Sequence, residues 1–386
     1  MVTVDLVWFN AGGGHRAAAV ALEQAVQLQG LPWRLRKLNL TAVLDKDALF
    51  KRLTGIEPED IYNKRLASGF TLGLAQELKL LQAMIRLSQT TLVQRLARHW
   101  QATQPDLVVS LVPNFNRCLH DSLALARPGV PFVTVMTDMA DLPPHFWIEP
   151  DLQQHLVCGT AHAVAQALGA GCDPQRVHAV SGMILRPDFY FSAPVDRAAE
   201  RRRLGLDTDT PTGLVMFGGA GSRVMKRIAA RLPHTPLILL CGRNAALAAE
   251  LRALPATAPR VVVGFTADVA RYMKLADFFI GKPGPGALSE AVQQGLPVIV
   301  TRNAWTMPQE RWNTQWVQDN GLGLVLRSFA DVRVAVDTLQ RDLADCRARV
   351  SHMRNRAVFE VPGILATILA TTPAHQRVAA PALSSA

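Results

Sequence analysis

The sequence predicts an α/β protein made of two doubly wound domains, each with a parallel sheet covered by helices on both faces. Short apolar, β-branched runs alternate with longer helical patterns along most of the 386 residues, which is typical of βαβ units. In addition, the runs LVVSLV (residues 107–112) and PFVTVM (residues 131–136) are apolar throughout, as strands buried on both faces require.

The alternating pattern occurs twice, with a change of composition between the two series. An alanine-rich helix at residues 16–29 follows the first strand, and a Pro-, Asp- and Arg-rich stretch at 187–212 separates the series as a linker with a short helix. Strands are predicted at 2–9, 31–40, 107–112, 131–136, 156–158 and 177–180, then at 213–217, 237–241, 260–263, 278–280, 298–301 and 324–326. We therefore predict domains over 1–190 and 191–370, and a disordered tail over 371–386.

Composition excludes several classes of protein. With 49% hydrophobic and 19% charged residues the chain is globular, and no apolar run approaches the ~20 residues of a membrane span. Five scattered cysteines without a CxxC pair favour neither disulfides nor structural zinc, which fits a reducing compartment. The amino terminus reads as a strand and not as a secretion signal. We therefore expect a cytoplasmic protein. The net charge of +10 favours polyanionic partners, but the dispersed basic residues and the lack of a reader motif argue against nucleic acid.

Both series open with a glycine-rich turn between a strand and a helix. The two segments are VDLVWFNAGGGHRAAA and GLVMFGGAGSRVMKRIA. Glycines let the backbone turn sharply beside a ligand, and amides at a helix N-terminus favour anions. Neither segment matches the phosphate-loop pattern or a full GxGxxG. Locally, each is therefore either a tight turn or a phosphate site.

A second glycine-rich turn lies in GFTADVARYMKLADFFIGKPGPGALSEAVQQGLPVIV, residues 264–300. The strand FFI is followed by GKPGPG and a new helix, so the first amides of that helix are free to bind an anion such as a diphosphate. Glu290 lies one turn into the helix, four residues after Gly286. It either binds a ribose diol or complements the helix dipole, and the local pattern alone favours the dipole.

Several motifs in one order give the chain a family resemblance over residues 4–363. They are AGGGHRAAA (11–19), TDM (137–139), SGMILRPDF (181–189), FGGAGS (217–222), CGRN (241–244), the segment just described, PQERWN (308–313) and NGLG (320–323). Together they resemble GT-B glycosyltransferases, in the branch of monogalactosyldiacylglycerol synthases and bacterial diacylglycerol glucosyltransferases. A peptidoglycan-precursor N-acetylglucosaminyltransferase is a more distant relative.

The resemblance implies that the second domain binds a UDP-sugar and that the first domain binds the acceptor, with a cleft between them. Phe265 would contact the uracil, Glu290 the ribose, and Lys282 or Arg243 would stabilise the departing UDP. The diphosphate would lie at Gly219, Gly221, Ser222, Gly284 and Gly286, and the sugar hydroxyls at Gln309 and Glu310, with Asn313 close by. A solvated helix start for Gln309 and Glu310, and a solvated loop lysine for Lys282, remain the alternatives.

His15 is the candidate general base. It follows three glycines at a helix start, where partial positive charge keeps the imidazole neutral and basic at pH 7. Asp138, at the end of a buried strand, is either a rival base or the partner that orients His15, and His15 as a simple cap or diphosphate donor is the alternative. The resemblance adds four acceptor-side residues, Gly13, Gly14, His145 and Trp147. The spacing of His145 and Trp147 departs from that of the family.

An amphipathic stretch at residues 72–100 either packs on its own sheet or lies in a membrane interface. Its apolar stripe consists of Leu74, Leu78, Leu81, Ile85, Leu92 and Leu96, and the basic residues Lys79, Arg86, Arg95 and Arg98 lie largely off it. The resemblance implies a lipid acceptor, and the chain carries a net basic charge. Both favour peripheral binding to an anionic membrane, which we expect to be the inner face of the cell membrane.

These observations predict an inverting transferase that moves hexose from UDP-galactose or UDP-glucose to a lipid such as diacylglycerol, giving a β-glycolipid. We expect no cofactor, and no metal because no DxD follows a strand. The alternatives are a UDP-sugar epimerase on the same scaffold, N-acetylglucosaminyl transfer to another lipid-linked acceptor, and a non-catalytic binding protein.

Overall fold

The computed structural model describes residues 1–9, 13–44, 74–191 and 195–372. The chain divides into two compact units. The first contains the described residues up to Arg186 and those from Arg356 onward, and the second contains the described residues of Pro187–Asn355. The predicted tail lies outside the described residues from residue 373 on.

The carboxyl-terminal helix, Ala357–Thr371, belongs to the first unit, although residues 357–370 were expected in the second domain. This helix is apolar and buries Val361, Leu365 and Leu369, so it needs an apolar surface to cover. It packs on the first helix of the chain, where Gln29 Nε2 donates to the Phe359 carbonyl at 2.8 Å.

The first unit is built on a six-stranded parallel sheet with the order β2-β1-β3-β4-β5-β6. All six strands lie within the predicted runs to within a few residues. The strands are β1 Val2–Trp8, β2 Trp33–Asn39, β3 Leu107–Ser110, β4 Phe132–Val135, β5 His155–Cys158 and β6 Val177–Ala179. Besides the carboxyl-terminal helix, the α-helices among the described residues are α1 Gly14–Leu28, α2 Leu40–Leu44, α3 Leu74–Leu87, α4 Gln89–Thr103, α5 Asn116–Ala126 and α6 Ala161–Gly169.

The second unit contains another six-stranded parallel sheet, with the order β12-β11-β10-β7-β8-β9. Its strands also match the predicted runs. They are β7 Gly213–Met216, β8 Leu237–Leu240, β9 Arg260–Val263, β10 Phe278–Gly281, β11 Val298–Thr301 and β12 Gly323–Leu326. The helices are α7 Asp188–Phe191, α8 Arg197–Arg203, α9 Val224–Arg231, α10 Ala245–Arg252, α11 Val269–Leu275, α12 Pro285–Gln293, α13 Arg311–Asp319, α14 Val332–Arg341 and α15 Leu343–Ser351.

Both sheets bury their central strands completely. Every residue of β3, β4, β7, β8 and β10 is buried, because helices cover both faces of a parallel sheet. In each unit the strand order also reverses direction once. The reversal lies between β1 and β3 in the first unit and between β7 and β10 in the second. Ligands of doubly wound folds bind at the carboxyl ends of the strands at this point.

The stretch predicted as one amphipathic helix is two helices, α3 and α4, which meet at Ser88. Of the predicted apolar stripe, Ile85 and Leu96 are buried, and Leu78 and Leu92 are partly buried against the core of the unit. The stripe therefore packs mainly inward, as an ordinary amphipathic helix does. Among the helices described, none is long and apolar enough to cross a membrane.

A buried ionic cluster stabilises the second unit at the amino end of β10. Asp277 Oδ2 accepts hydrogen bonds from Arg201 Nη1 at 3.0 Å and from the Thr212 amide at 2.9 Å. Its Oδ1 accepts from Arg197 at 2.6 Å and Arg347 at 3.1 Å. Because Arg201 is almost fully buried, its charge depends on Asp277 for compensation.

We expect Asp277→Ala to lower the free energy of unfolding by about 3–5 kcal/mol, because Arg201 keeps its buried charge without the partner. Guanidinium unfolding followed by circular dichroism measures the loss. Glu250→Gln is the matched control, since it breaks the half-exposed Lys226–Glu250 pair and should change stability by less than about 1 kcal/mol. Equal effects of the two substitutions would contradict this account.

Candidate active site

His15 lies at the point where the strand order of the first unit reverses. β1 ends at Trp8, and α1 begins at Gly14 after Gly13, whose φ of +82° suits glycine. Gly13 and Gly14 are exposed, and a Cβ on either would meet no neighbour within 4 Å. The open backbone and the uncapped first turn of α1 leave room beside His15 for a ligand.

Two neighbouring strand ends hold the His15 ring. Nδ1 lies 2.7 Å from the carbonyl oxygen of Leu111, just after β3, and 3.1 Å from Thr137 Oγ1, just after β4. A carbonyl oxygen can only accept, so Nδ1 carries the proton and donates it to Leu111. The ring also lies against Phe9 and Trp147, with centroids 6.4 Å and 6.2 Å away.

The surroundings of His15 keep its imidazole neutral. Burial lowers the pKa of His15 from 6.5 to about 4, which outweighs the opposite effect of the hydrogen bond to Leu111. Since Nδ1 holds the single proton at pH 7, the lone pair is on Nε2. A neutral ring in this tautomer can accept a proton at Nε2, as a general base must.

Asp138 and Trp147 form the wall beside this ring. Trp147 is fully buried, and its Nε1 donates to Asp138 Oδ2 at 2.9 Å. The Trp147 amide donates to Asp141 Oδ1 at 2.7 Å, and its carbonyl accepts from Asn116 Nδ2 at 3.0 Å. Burial raises the pKa of Asp141 above its usual 3.8, against the lowering effect of the backbone hydrogen bonds it accepts. Trp147 therefore positions Asp138 and the His15 ring together.

His145 belongs to a separate ionic group on the same loop. Its Nδ1 lies 2.7 Å from Glu149 Oε2, which Arg117 also contacts at 3.3 Å, and its backbone has a φ of +57°. Gln82 of α3 donates to the carbonyls of Pro144 and His145. The loop is therefore fixed from both sides, and α3 is tied directly to it.

In the second unit, the loop after β7 packs closely against the loop after β8. Gly221 has a φ of +63°, and a Cβ there would lie 2.6 Å from the Cys241 carbonyl oxygen. A Cβ on Gly242 would lie 2.2 Å from the Gly219 carbonyl oxygen, which accepts from the Arg243 amide at 2.9 Å. Only glycine fits at these two positions, so the predicted phosphate loop has a defined backbone shape.

The loop after β10 adjoins the loop after β7, because these strands pair in parallel with Gly281 opposite Met216. Lys282 Nζ donates to Glu310 Oε1 at 2.7 Å, and Asn313 Nδ2 donates to the Pro283 carbonyl at 2.8 Å. The motifs GKPGPG and PQERWN are thus in direct contact, although they are far apart in sequence.

The other predicted donor-side residues lie on the same unit. Phe265 is exposed, and the Arg243 guanidinium lies 4.5 Å from its ring centroid, a cation–π contact. Ser222 is buried and its Oγ accepts from the Val224 amide at 3.3 Å, at the start of α9. Four predicted residues remain. Gly284 is buried directly before α12, and Gly286 is exposed on that helix. Glu290 on α12 and Gln309 before α13 are half-buried.

The structure brings together two groups of predicted residues, one in each unit. His15, Asp138 and Trp147 form the first group, and the glycine loops with Lys282, Glu310 and Asn313 form the second. Sequence reasoning missed the Leu111 carbonyl and the carboxylates of Asp141 and Glu149. Only Glu149 left a signal, since it lies four residues after His145. Within the described ranges, no three histidine, cysteine or acidic side chains group as metal ligands would.

Comparison with known proteins finds similar curated sequences and similar solved structures. The monogalactosyldiacylglycerol synthase of Spinacia oleracea is 26% identical over 93% of this chain and 71% of its own length. MurG of Acinetobacter baumannii superposes with a TM-score of 0.58 at 14% identity, over 95% and 99% of the two chains. Anabaena HepE in complex with UDP gives 0.54 at 12% identity, over 96% and 100%. No protein-family model matches the chain.

The two parallel sheets and the similar solved structures show the GT-B fold of the glycosyltransferase class, which confirms the predicted fold. Within that class the chain is related to the galactolipid synthases, as its ordered motifs predicted.

We expect His15 to titrate near pH 4 and to keep the Nδ1–H tautomer at neutral pH, because a carbonyl accepts from Nδ1. Nitrogen NMR of histidine-labelled protein, assigned with His15→Gln, measures both the pKa and the tautomer.

The pKa of His15 also affects stability. The unfolded pKa of about 6.5 exceeds the folded value, so the unfolded chain binds the proton first. His15 should therefore reduce stability as pH falls from about 6.5 towards 4, and His15→Gln should remove that part of the pH dependence. A His15 signal that titrates near pH 6.5 would contradict the buried, neutral state.

Proposed function

We propose that the chain is an inverting glycosyltransferase that moves hexose from UDP-galactose or UDP-glucose to a lipid hydroxyl such as that of diacylglycerol, giving a β-glycolipid. The observation that carries this proposal is the state of His15: neutral, held through Nδ1, with the Nε2 lone pair available at the strand reversal of the first unit.

The loops of the second unit suit a nucleoside diphosphate. α12 begins after Gly284 without a side-chain cap and without an acidic residue in its first turn, so its first amides are available to an anion. The loop with Gly219 and Gly221 follows the neighbouring strand. Anabaena HepE, of the same fold, is known in complex with UDP. We therefore assign the diphosphate to these two loops, the uracil to Phe265 and the ribose to Glu290.

The proposed reaction is a single displacement. The acceptor oxygen attacks the anomeric carbon, its proton passes to His15 Nε2, and the bond from the anomeric carbon to the UDP oxygen breaks with its electron pair remaining on UDP. A positioned base contributes about 100- to 10,000-fold to such a rate. Trp147 and Thr137 hold the ring, and Asp138 is positioned by Trp147, so we assign the base to His15 and an orienting role to Asp138.

The lipid acceptor is proposed from the relatives, which are monogalactosyldiacylglycerol synthases, and from one exposed surface of the first unit. Leu80, Met84 and Leu87 lie on one face of α3 and are 61%, 49% and 89% exposed. Lys79 and Arg86 are exposed on the same helix. Apolar side chains flanked by basic ones bind the interface of an anionic bilayer. We propose that this α3 face rests on the cytoplasmic surface of the membrane.

We expect acceptor-dependent release of UDP from UDP-galactose or UDP-glucose in the presence of diacylglycerol vesicles. His15→Ala should lower kcat about 100- to 10,000-fold, because it removes the base. His352→Ala, at an exposed histidine of the second unit, is the matched control. Assays with UDP-N-acetylglucosamine run in parallel, and NMR of the product tests for the β-linkage.

Other outcomes identify the alternatives. UDP release without any lipid contradicts the lipid acceptor, and interconversion of UDP-hexoses without UDP release indicates an epimerase. Preference for UDP-N-acetylglucosamine indicates transfer to another acceptor. UDP binding without turnover indicates a binding protein.

Membrane binding is tested by the double substitution Leu80→Ser with Met84→Ser. We expect partitioning onto vesicles that contain phosphatidylglycerol to fall about tenfold or more, because two apolar side chains no longer leave water. Leu28→Ser is the control, since Leu28 is 63% exposed at the far end of α1. Binding should also weaken at high salt, because the basic residues are screened. Unchanged partitioning of the double variant would exclude the α3 face.

A further inference from the structure

Lys282 lies beside the loop to which the diphosphate is assigned, where a lysine is expected to bind phosphate. In the structure its Nζ is already engaged with Glu310 Oε1 at 2.7 Å. The Glu310 side chain is 6% exposed, whereas that of Lys282 is 37% exposed. A buried carboxylate needs a countercharge more than an exposed ammonium does, and Lys282 provides it.

The backbone around this pair is shaped to accommodate it. A Cβ on Gly284 would lie 3.2 Å from Lys282 Cε, which is closer than most such contacts, and 3.4 Å from Glu310 Oε1, an ordinary contact distance. Glycine at position 284 therefore leaves room for the end of the Lys282 side chain beside the carboxylate. This explains Gly284 by the packing of the ion pair as well as by its place at the start of α12.

Asn313 fixes the same loop from the side of α13. It is fully buried, and its Nδ2 donates to the Pro283 carbonyl at 2.8 Å. Glu310 and Asn313 are three residues apart, at the start of α13, so both contacts join this segment to the loop after β10. Glu310 Oε1 is occupied by Lys282, and Oε2 accepts no hydrogen bond from any residue that the structure describes. The ion pair thus presents one carboxylate oxygen in a fixed position.

We infer that Lys282 is a positioning residue that holds Glu310 for a hydroxyl of the donor sugar, and that it is not a ligand of the diphosphate. This inference rests on the proposed function, and it names the group through which Lys282 acts. A sugar hydroxyl donates to Glu310 Oε2, and Lys282 keeps the carboxylate ionised and oriented. Loss of Lys282 should therefore affect UDP-hexose far more than UDP.

The test is a double-substitution cycle with Lys282→Met and Glu310→Gln. Binding of UDP is measured by calorimetry, and kcat/KM is measured for UDP-galactose and UDP-glucose. We expect UDP affinity to stay within about twofold of wild type in every variant. Each single substitution should lower kcat/KM about 10- to 100-fold, the value of a hydrogen bond to a charged group, and the double variant should be no worse than either single one.

Two further variants control for structure. Lys282→Arg keeps the charge near Glu310 and should recover most of the activity that Lys282→Met loses. Lys226→Met breaks the exposed pair with Glu250 and should change neither UDP binding nor kcat/KM. The ratio of kcat/KM between the two hexoses should change only when the Lys282–Glu310 pair is broken, which a general loss of folding would not produce.

The inference would be overturned if Lys282→Met weakened UDP binding more than tenfold and if its effect on kcat/KM were additive to that of Glu310→Gln. Lys282 would then be a phosphate ligand. Wild-type protein that binds no UDP would overturn the proposed function, and this inference with it. These two failures are distinguishable because the first requires wild-type binding of UDP.

Discussion

The carboxyl edge of a parallel sheet offers space for a ligand only where the strand order reverses, and both units of this chain place their unusual residues at that point. Elsewhere, most strands are followed by a helix that packs back on the sheet and fills the space; β4 is not, and the loop after it carries Asp138 and Trp147. At the reversal, successive helices go to opposite faces, so the loops after adjacent strands separate. His15 after β1 and the glycine loops after β7 and β10 follow from this topology.

The two units use this space in opposite electrostatic ways. In the first unit, aromatic rings and a main-chain carbonyl surround His15, so burial disfavours its charged form. In the second unit, backbone amides and glycine turns provide an environment for an anion, and the side-chain charges of Lys282 and Glu310 compensate each other. A neutral base and an anion site are the two components that a displacement with a diphosphate leaving group needs.

Patterns local in sequence predicted most of the fold and part of the candidate site. All twelve strands lie at predicted positions. The fully buried ones, β3, β4, β7, β8 and β10, were the clearest, because full burial leaves a continuous apolar pattern. The glycine turns and His15 were visible because each belongs to a short motif that directly follows a predicted strand. The contacts of Leu111, Asp141 and Lys282 were not, since a carbonyl has no side-chain signature and the Lys282–Glu310 pair spans 28 residues. The stripe of residues 72–100 left two surfaces open, because periodicity shows that a helix has an apolar face, but not which surface that face covers.

The lowered pKa of His15 constrains the order of events in the proposed transfer. A base with a pKa of about 4 is unprotonated at neutral pH, but it is too weak to deprotonate a free alcohol. The acceptor oxygen becomes acidic only as it bonds to the anomeric carbon and gains positive character. His15 can therefore act only late, after the bond to the departing diphosphate has largely broken. Stabilisation of that diphosphate must come first, from the amides of α12 and the adjoining glycine loop. A neutral imidazole also adds no positive charge beside a sugar that is itself becoming cationic.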